Sequence, residues 1–244
     1  MYQPRIYRRH IHSPGLISYE VVEGETDLLI STVTNLEREA RALVRDLRLK
    51  LSGYISQAPH FATSLRPVDV PEDAPAIVYD MATAARKTGV GPMAAVAGAV
   101  ARCVGEALGR LSPEVIVENG GDIYLSSQKS RLVAIYAGNS PLSGTLGLEI
   151  PSDKTPVGIC TSSATVGHSL SFGQADAAVA VAPSATLADG AATAIGNAVG
   201  SAAEINLGLA TAQGIPGLIG AVIIIGDKLG VWGNLHLRAL GNVP

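Results

Sequence analysis

Between Thr155 and Asp227 the chain contains no lysine or arginine; Asp176, Asp189, Glu204 and Asp227 leave that stretch with negative charge only. Other absences narrow the field further. There are two cysteines, Cys103 and Cys160, far apart in sequence, so neither a disulfide framework nor a cysteine metal cluster is expected, and a reducing compartment is the default. Aromatic residues are only 4% of the chain, and no basic patch is interleaved with them, which argues against nucleic acid as a partner. No apolar run approaches about 18 residues, so no membrane span is expected. The N-terminal Met-Tyr-Gln-Pro-Arg-Ile-Tyr-Arg-Arg-His lacks the apolar region of a signal peptide, and a cytoplasmic protein is the expectation.

What is present is a chain of 244 residues with 47% hydrophobic and 16% charged residues and a net charge of −3. That length supports a substantial core without staples. The low charge, together with helices rich in alanine and glycine, leans towards a homo-oligomer. Eight of the 18 basic residues precede Leu51. Arg38, Arg41, Arg45 and Arg48 recur at helical spacing, as on a solvated helix face.

Residues 5–12 and 16–22 read as a hairpin around Ser13-Pro14-Gly15, and 27–33 as a third strand. Asn35 precedes an amphipathic helix running to about Ile55, with Leu36, Ala40, Leu43, Leu47 and Leu51 on one face. Residues 57–75 hold four prolines and read as irregular surface chain. Helices are expected over 75–88 and, with Pro92 at its first position, over 93–108. The second is full of small residues, so another backbone or a ligand can approach it closely. Strands follow at 114–118, 123–125, 132–137, 145–150, 158–161 and 176–182, continuing one sheet. A helix capped by Ser184 or Asp189 runs to about Val199, and a hairpin over 218–226 and 229–232 closes the chain. Strands in meanders and helices in blocks indicate α+β, with one compact domain as the simplest organisation.

Asp189 stands among Ala, Gly, Ser and Thr. A carboxylate in apolar company must be hydrogen-bonded, neutral, or bound to a cation. On a helix, Asp189, Thr193 and Asn197 share a face. Carboxylate and hydroxyl oxygens suit a hard cation such as Mg²⁺. The same stripe reads equally as the wet face of an amphipathic helix, or Asp189 as an N-cap. Asn119-Gly120-Gly121-Asp122 is first of all a tight turn, whose bare backbone could also approach a phosphate or a flat ring. Thr161-Ser162-Ser163 at a strand end supplies hydroxyls apt for phosphate or ribose, and His168 follows. Gly89-Val-Gly-Pro-Met-Ala-Ala enters a helix N-terminus, which favours an anion, but matches neither a P-loop nor a dinucleotide fingerprint.

Taken in order, these pieces resemble the ApbE family of flavin transferases. Ala188-Asp-Gly-Ala-Ala-Thr-Ala194 resembles that family's Ala-Asp-Ala-Leu-Ala-Thr-Ala helix. Glu118-Asn-Gly-Gly-Asp-Ile-Tyr124 resembles its strand-Gly-Gly-strand turn, Thr161-Ser-Ser163 its Thr-Ser-Gly loop, and Gly91-Pro-Met-Ala-Ala-Val-Ala-Gly98 its Gly-Gly-Ile-Ala-Lys-Gly helix entry. The match spans about residues 91–200; residues 1–90 look like those of a prokaryotic family related to ApbE, and 91–244 form the ApbE-like motif region. The resemblance implies a single ApbE-like domain of mostly antiparallel sheet that binds FAD and Mg²⁺, splits the pyrophosphate and places FMN on a threonine of a target protein. It assigns Asp189, Thr193 and the Ala94 carbonyl to the metal. Asn119, Gly120, Gly121, Asp122, Thr161, Ser162 and Ser163 would line the flavin nucleotide, and His168 or Asp176 would assist catalysis. Three departures stand out: the family's Asp-Pro-x-Thr-Gly loop is absent, Ala95 replaces its lysine, and Ser163 replaces the glycine of Thr-Ser-Gly. A flavin- or nucleotide-binding protein without catalysis is the alternative.

Overall fold

The computed structural model describes Arg8, residues 13–166 and residues 171–240. The expected strand at 5–12 therefore lies, apart from Arg8, outside the described residues, as does His168. The turn at Ser13-Pro14-Gly15 is present, closed by the Leu16 N–H donating to the Ser13 carbonyl at 3.0 Å.

Eight strands form one antiparallel sheet. In spatial order they are β1 (Ile17–Glu23), β2 (Thr26–Thr32), β3 (Val115–Asn119), β4 (Asp122–Ser126), β7 (Val157–Ser162), β8 (Ala177–Ala182), β9 (Gly220–Ile225) and β10 (Lys228–Gly233). The segments expected at 132–137 and 145–150 do not continue this sheet. They form β5 (Arg131–Ala134) and β6 (Leu146–Ile150), which join β11 (His236–Ala239) in a separate three-stranded sheet. β4 is flanked by β3 on one side and β7 on the other, so the chain between β4 and β7 finds no open position beside β4.

Among the described residues six α-helices accompany the strands: α1 (Glu37–Gln57), α2 (His60–Thr63), α3 (Ala76–Thr88), α4 (Val96–Leu108), α5 (Ala185–Asn197) and α6 (Ile205–Gly214). The molecule is thus α+β in three layers. Helices cover one face of the large sheet, with Val115, Val117, Tyr124, Cys160, Ala178, Ala180 and Ala182 pointing towards them. The small sheet covers the other face, over Leu125, Val157, Ile159, Val179, Val181, Val222 and Ile224. Strand alternation sorts the two sets. Along β8 the helix-facing positions are all alanine, and all six residues of the strand are buried.

Those alanines make room for α5. All its residues except Thr193 and Asn197 are buried, so it is a core helix and not an amphipathic one with a wet side. Ser184 caps it, accepting from the Leu187 N–H, which excludes Asp189 as its cap. Neighbours approach α5 through glycines. A Cβ at Gly158 would lie 2.2 Å from the Ala185 Cα, and one at Gly98 would lie 2.3 Å from the Ala185 carbonyl oxygen and 2.7 Å from the Asp189 Cβ.

Two expectations about the first half of the chain need amendment. The arginines of α1 are not simply solvated. Arg41 pairs with Glu23 and Glu37, Arg45 with Glu23, and Arg48 with Glu25, so the helix grips the acidic β1–β2 turn. The proline-rich stretch after α1 is anchored, because Phe61 is fully buried with its ring edge-on to Tyr54 at 5.3 Å. No single helix among the described residues is long and apolar enough to cross a membrane.

Gly98→Ala tests the close crossing of α4 and α5. Alanine ordinarily stabilises a helix interior by up to about 1 kcal/mol relative to glycine. Here the added methyl group meets backbone, and chemical denaturation should show a loss of about 1–3 kcal/mol. A neutral or stabilising result would mean that the two helices do not cross this closely.

Candidate functional site

The ends of β3, β4 and β7 meet the first turn of α4 at one place in the sheet. α4 has no side-chain cap of its own; Ala95 stands at the cap position. Its first N–H groups therefore need an outside acceptor. Asp189, reaching across from α5, is that acceptor. The Gly98 N–H donates to its Oδ2 at 2.8 Å, and the Ala97 N–H also favours its charged form. Asp189 is thus an N-cap after all, but of a different helix, and the α4 dipole favours its charge. On the strand side, the Asn119 Nδ2 donates to the Ala97 carbonyl at 3.1 Å.

Gly120 and Gly121 have φ of 71° and 103°, a backbone only glycine adopts cheaply, so the Gly-Gly pair is a true hairpin turn between β3 and β4. It sets Asn119 opposite Asp122. The Glu118 carboxylate holds the turn from the other face of the sheet. Its Oε1 accepts from the Gly121 N–H at 2.8 Å, and its Oε2 accepts from the Arg8 Nε at 2.6 Å. Arg8 also donates to the Asp27 Oδ1 at 2.7 Å, so a largely buried Arg8–Asp27–Glu118 network braces the turn.

Asp122 is the unusual member. It is 7% exposed, and its Oδ1 has no hydrogen-bond partner among the described residues. Burial, and then the nearby Asp189, push its carboxyl well above the usual carboxylate range, against the Cys160 thiol and the Thr161 N–H, which favour the charged form. Burial also raises Asp189, from an ordinary 3.8 to about 7, against the Gly98 and Ala97 N–H groups. Among the described residues neither carboxylate takes part in a salt bridge. Cys160 is buried, its thiol pushed well up by burial, and it donates to the Ala185 carbonyl at 3.3 Å.

A cleft of about 1960 Å³ opens beside these residues. It exceeds the few hundred to about 1,000 Å³ usual for small-ligand pockets and has room for a dinucleotide. Asn119, Gly120, Gly121, Asp122, Thr161 and Ser163 form its polar end, Ile116, Ile123, Ile135 and Ile159 line its apolar part, and Arg48, Lys129 and Arg131 contribute positive charge. Ser162 alternates to the other side of β7, where it packs against Gly196 of α5. Asp189 lies behind the cleft wall, and Thr193, one turn on, is half-buried. Ala94 belongs to the 3₁₀ turn Pro92–Ala95, which leads into α4 and packs against α5. Asp176 is outside the cleft lining, and both its oxygens are engaged: Oδ1 accepts from the Thr165 Oγ1 at 3.1 Å and Oδ2 from the Gly226 N–H at 2.7 Å. It ties the loop after β7 to the β9–β10 turn.

The donor set fits a hard cation. Asp122 and Asp189 are two buried carboxylates, one Asp122 oxygen is without a hydrogen-bond partner, and among the described residues neither carboxylate is in a salt bridge.

The model of the family described as "AbpE bacteria" matches residues 8–215. The chain belongs to this family. Its relatives include the UPF0280 protein of Methanocella arvoryzae, 46% identical over 190 residues that cover 78% of this chain and 77% of that protein. The UPF0280 protein MJ1526 of Methanocaldococcus jannaschii is 44% identical over 221 residues, covering 88% and 90%. Among solved structures, the flavinyl transferase ApbE of Pseudomonas stutzeri is similar with a TM-score of 0.57 at 16% identity, covering 89% of this chain and 93% of that one. The ApbE protein of Thermotoga maritima is similar with a TM-score of 0.55 at 11% identity, covering 88% and 96%. At these identities the likeness to the solved structures is one of fold.

The raised carboxyl of Asp189 gives a pH test in the presence of a chelator. The native state holds the Asp189 proton more tightly than the unfolded chain does. Its contribution to stability is full below pH 3.8 and is lost as pH rises through about 7. Melting temperatures of wild type and Asp189→Asn should therefore diverge in favour of the variant between pH 4 and 8. Parallel curves would contradict the buried, unneutralised carboxylate.

Proposed function

We propose that this protein binds a flavin dinucleotide in the cleft and, with Mg²⁺, cleaves its pyrophosphate to release AMP, passing FMN to an acceptor hydroxyl. The observation that carries this reading is the convergence, at one end of a dinucleotide-sized cleft, of the Asn119–Asp122 turn, the Thr161–Ser163 strand end and the first turn of α4 with Asp189 behind it. The solved flavinyl transferase with the same fold supports it.

In this reading the apolar part of the cleft takes the isoalloxazine ring. The hydroxyls of Thr161 and Ser163 and the bare backbone of Gly120 and Gly121 meet the ribityl and phosphate oxygens. Asp189, Thr193 and the Ala94 carbonyl are the ligands for Mg²⁺. The ion would neutralise pyrophosphate charge and stabilise the charge that develops as the phosphoanhydride breaks. Arg48, Lys129 and Arg131 are the cationic groups that line the cleft.

One observation favours a second reading, a flavin-binding protein without catalysis. Asp176 has both oxygens committed to structural hydrogen bonds, so it offers no free base to an incoming nucleophile.

Incubation with FAD and Mg²⁺, with and without a threonine-containing acceptor protein, separates the two. Chromatography should show AMP appearing only with Mg²⁺. Asp189→Ala should slow its release at least about 100-fold, the scale for losing one preorganised electrostatic contributor. FAD retained without AMP release would establish the second reading, and no interaction with FAD would exclude both.

A further inference from the structure

We propose that Asp122 is a second carboxylate ligand of the cation assigned above to Asp189, the ion lying between the start of β4 and the middle of α5. The inference rests on the Mg²⁺ reading of Asp189 and adds to it a residue from the flavin-facing turn.

Asp122 is more than nine-tenths buried at the start of a strand, yet its Oδ1 meets no donor among the described residues. A buried polar atom left without a partner costs about 1–3 kcal/mol, and more when charged. Nothing about the turn requires a carboxylate at this position, since its tight geometry is supplied by Gly120 and Gly121. Asp189 acts on Asp122 electrostatically, and among the described residues neither is in a salt bridge. Two carboxylates sharing a buried space repel each other unless one holds a proton or a cation lies between them. The nearest sulfur does not supply a soft-metal site, because the Cys160 thiol donates its proton to the Ala185 carbonyl.

The ligand count also fits. Among the described residues no three His, Cys, Asp or Glu side chains converge as a metal cage. Mg²⁺ does not need one; it is ordinarily held by one or two carboxylates, with waters and phosphate oxygens filling the other positions. Asp122 and Ala97 line the cleft, and Asp189, outside its lining, bonds Gly98 in the same first turn of α4, so an ion shared by the two aspartates would be accessible to a phosphate in the cleft.

Mn²⁺ serves as the probe, titrated into the purified full chain without flavin and followed by electron paramagnetic resonance. Wild type should bind one ion per chain. Asp122→Asn, which keeps the shape and removes the charge, should weaken binding at least tenfold, as should Asp189→Asn. In chelator Asp122→Asn should melt at or above the wild-type temperature, because a neutral group of the same shape replaces a buried carboxyl beside Asp189. Wild-type affinity in Asp122→Asn alongside loss in Asp189→Asn would overturn the shared site and leave the Asp189 reading standing. No Mn²⁺ binding by wild type would overturn both. If Asp122→Asn does not fold, a wild-type crystal soaked in Mn²⁺ decides the matter. An anomalous peak bonded to oxygens of both aspartates supports the proposal, and one bonded to Asp189 alone refutes it.

Discussion

The hydrogen bond from the Gly98 N–H to the Asp189 carboxylate joins the two helices on which the rest of the architecture depends. It satisfies an N-terminal turn of α4 that has no cap of its own, and it holds α5 at a crossing too close for any side chain larger than hydrogen at position 98. α5 in turn lies in a bed of small residues, Gly158 beneath its start and the alanines of β8 along its length. Alanine and glycine bury little area each, so this core relies on close approach and on polar groups being satisfied rather than on large side chains. Burial at this crossing pushes the Asp189 carboxyl up to about 7, against the Gly98 and Ala97 N–H groups, which favour its charged form.

The turn between β3 and β4 is built under a related constraint. Its Gly-Gly backbone is braced on one face of the sheet by Glu118 and Arg8 and on the other by Asn119 docked on α4. What remains unsatisfied there is concentrated in one atom, the Asp122 Oδ1. Among the described residues it is the one buried side-chain oxygen without a hydrogen-bond partner, and it lies in the electrostatic reach of a second buried carboxylate, Asp189.

Much of this could be read from the sequence, because the patterns were local. The strands over 158–161 and 176–182, the helix after Ser184 and the closing hairpin follow from alternation, caps and turn residues, and the small residues of α4 did signal a close backbone neighbour. The polar end of the cleft was legible as motifs: Asn119 to Asp122 and Thr161 to Ser163 come together across β4 and β7. Ser162 reads like its neighbours because a loop motif carries no facing; strand pairing turns it towards Gly196. Asp189 could be recognised as anomalous, but its partner could not, since a backbone N–H 91 residues away leaves no mark in composition. The separate three-stranded sheet was not legible either, because short strands do not declare which sheet they join. The grip of the α1 arginines on the β1–β2 turn was hidden in the same way, each pair being formed across a tertiary contact.

The functional account turns on the pyrophosphate lying at the Asp189 end of the cleft, where a cation would meet it. Calorimetric titration with FAD, FMN and riboflavin, each with and without Mg²⁺, tests this directly. Mg²⁺ should tighten FAD at least tenfold and leave riboflavin unchanged, because only FAD brings a pyrophosphate to the ion. Equal affinities for FAD with and without Mg²⁺, or no binding of FAD at all, would contradict the account.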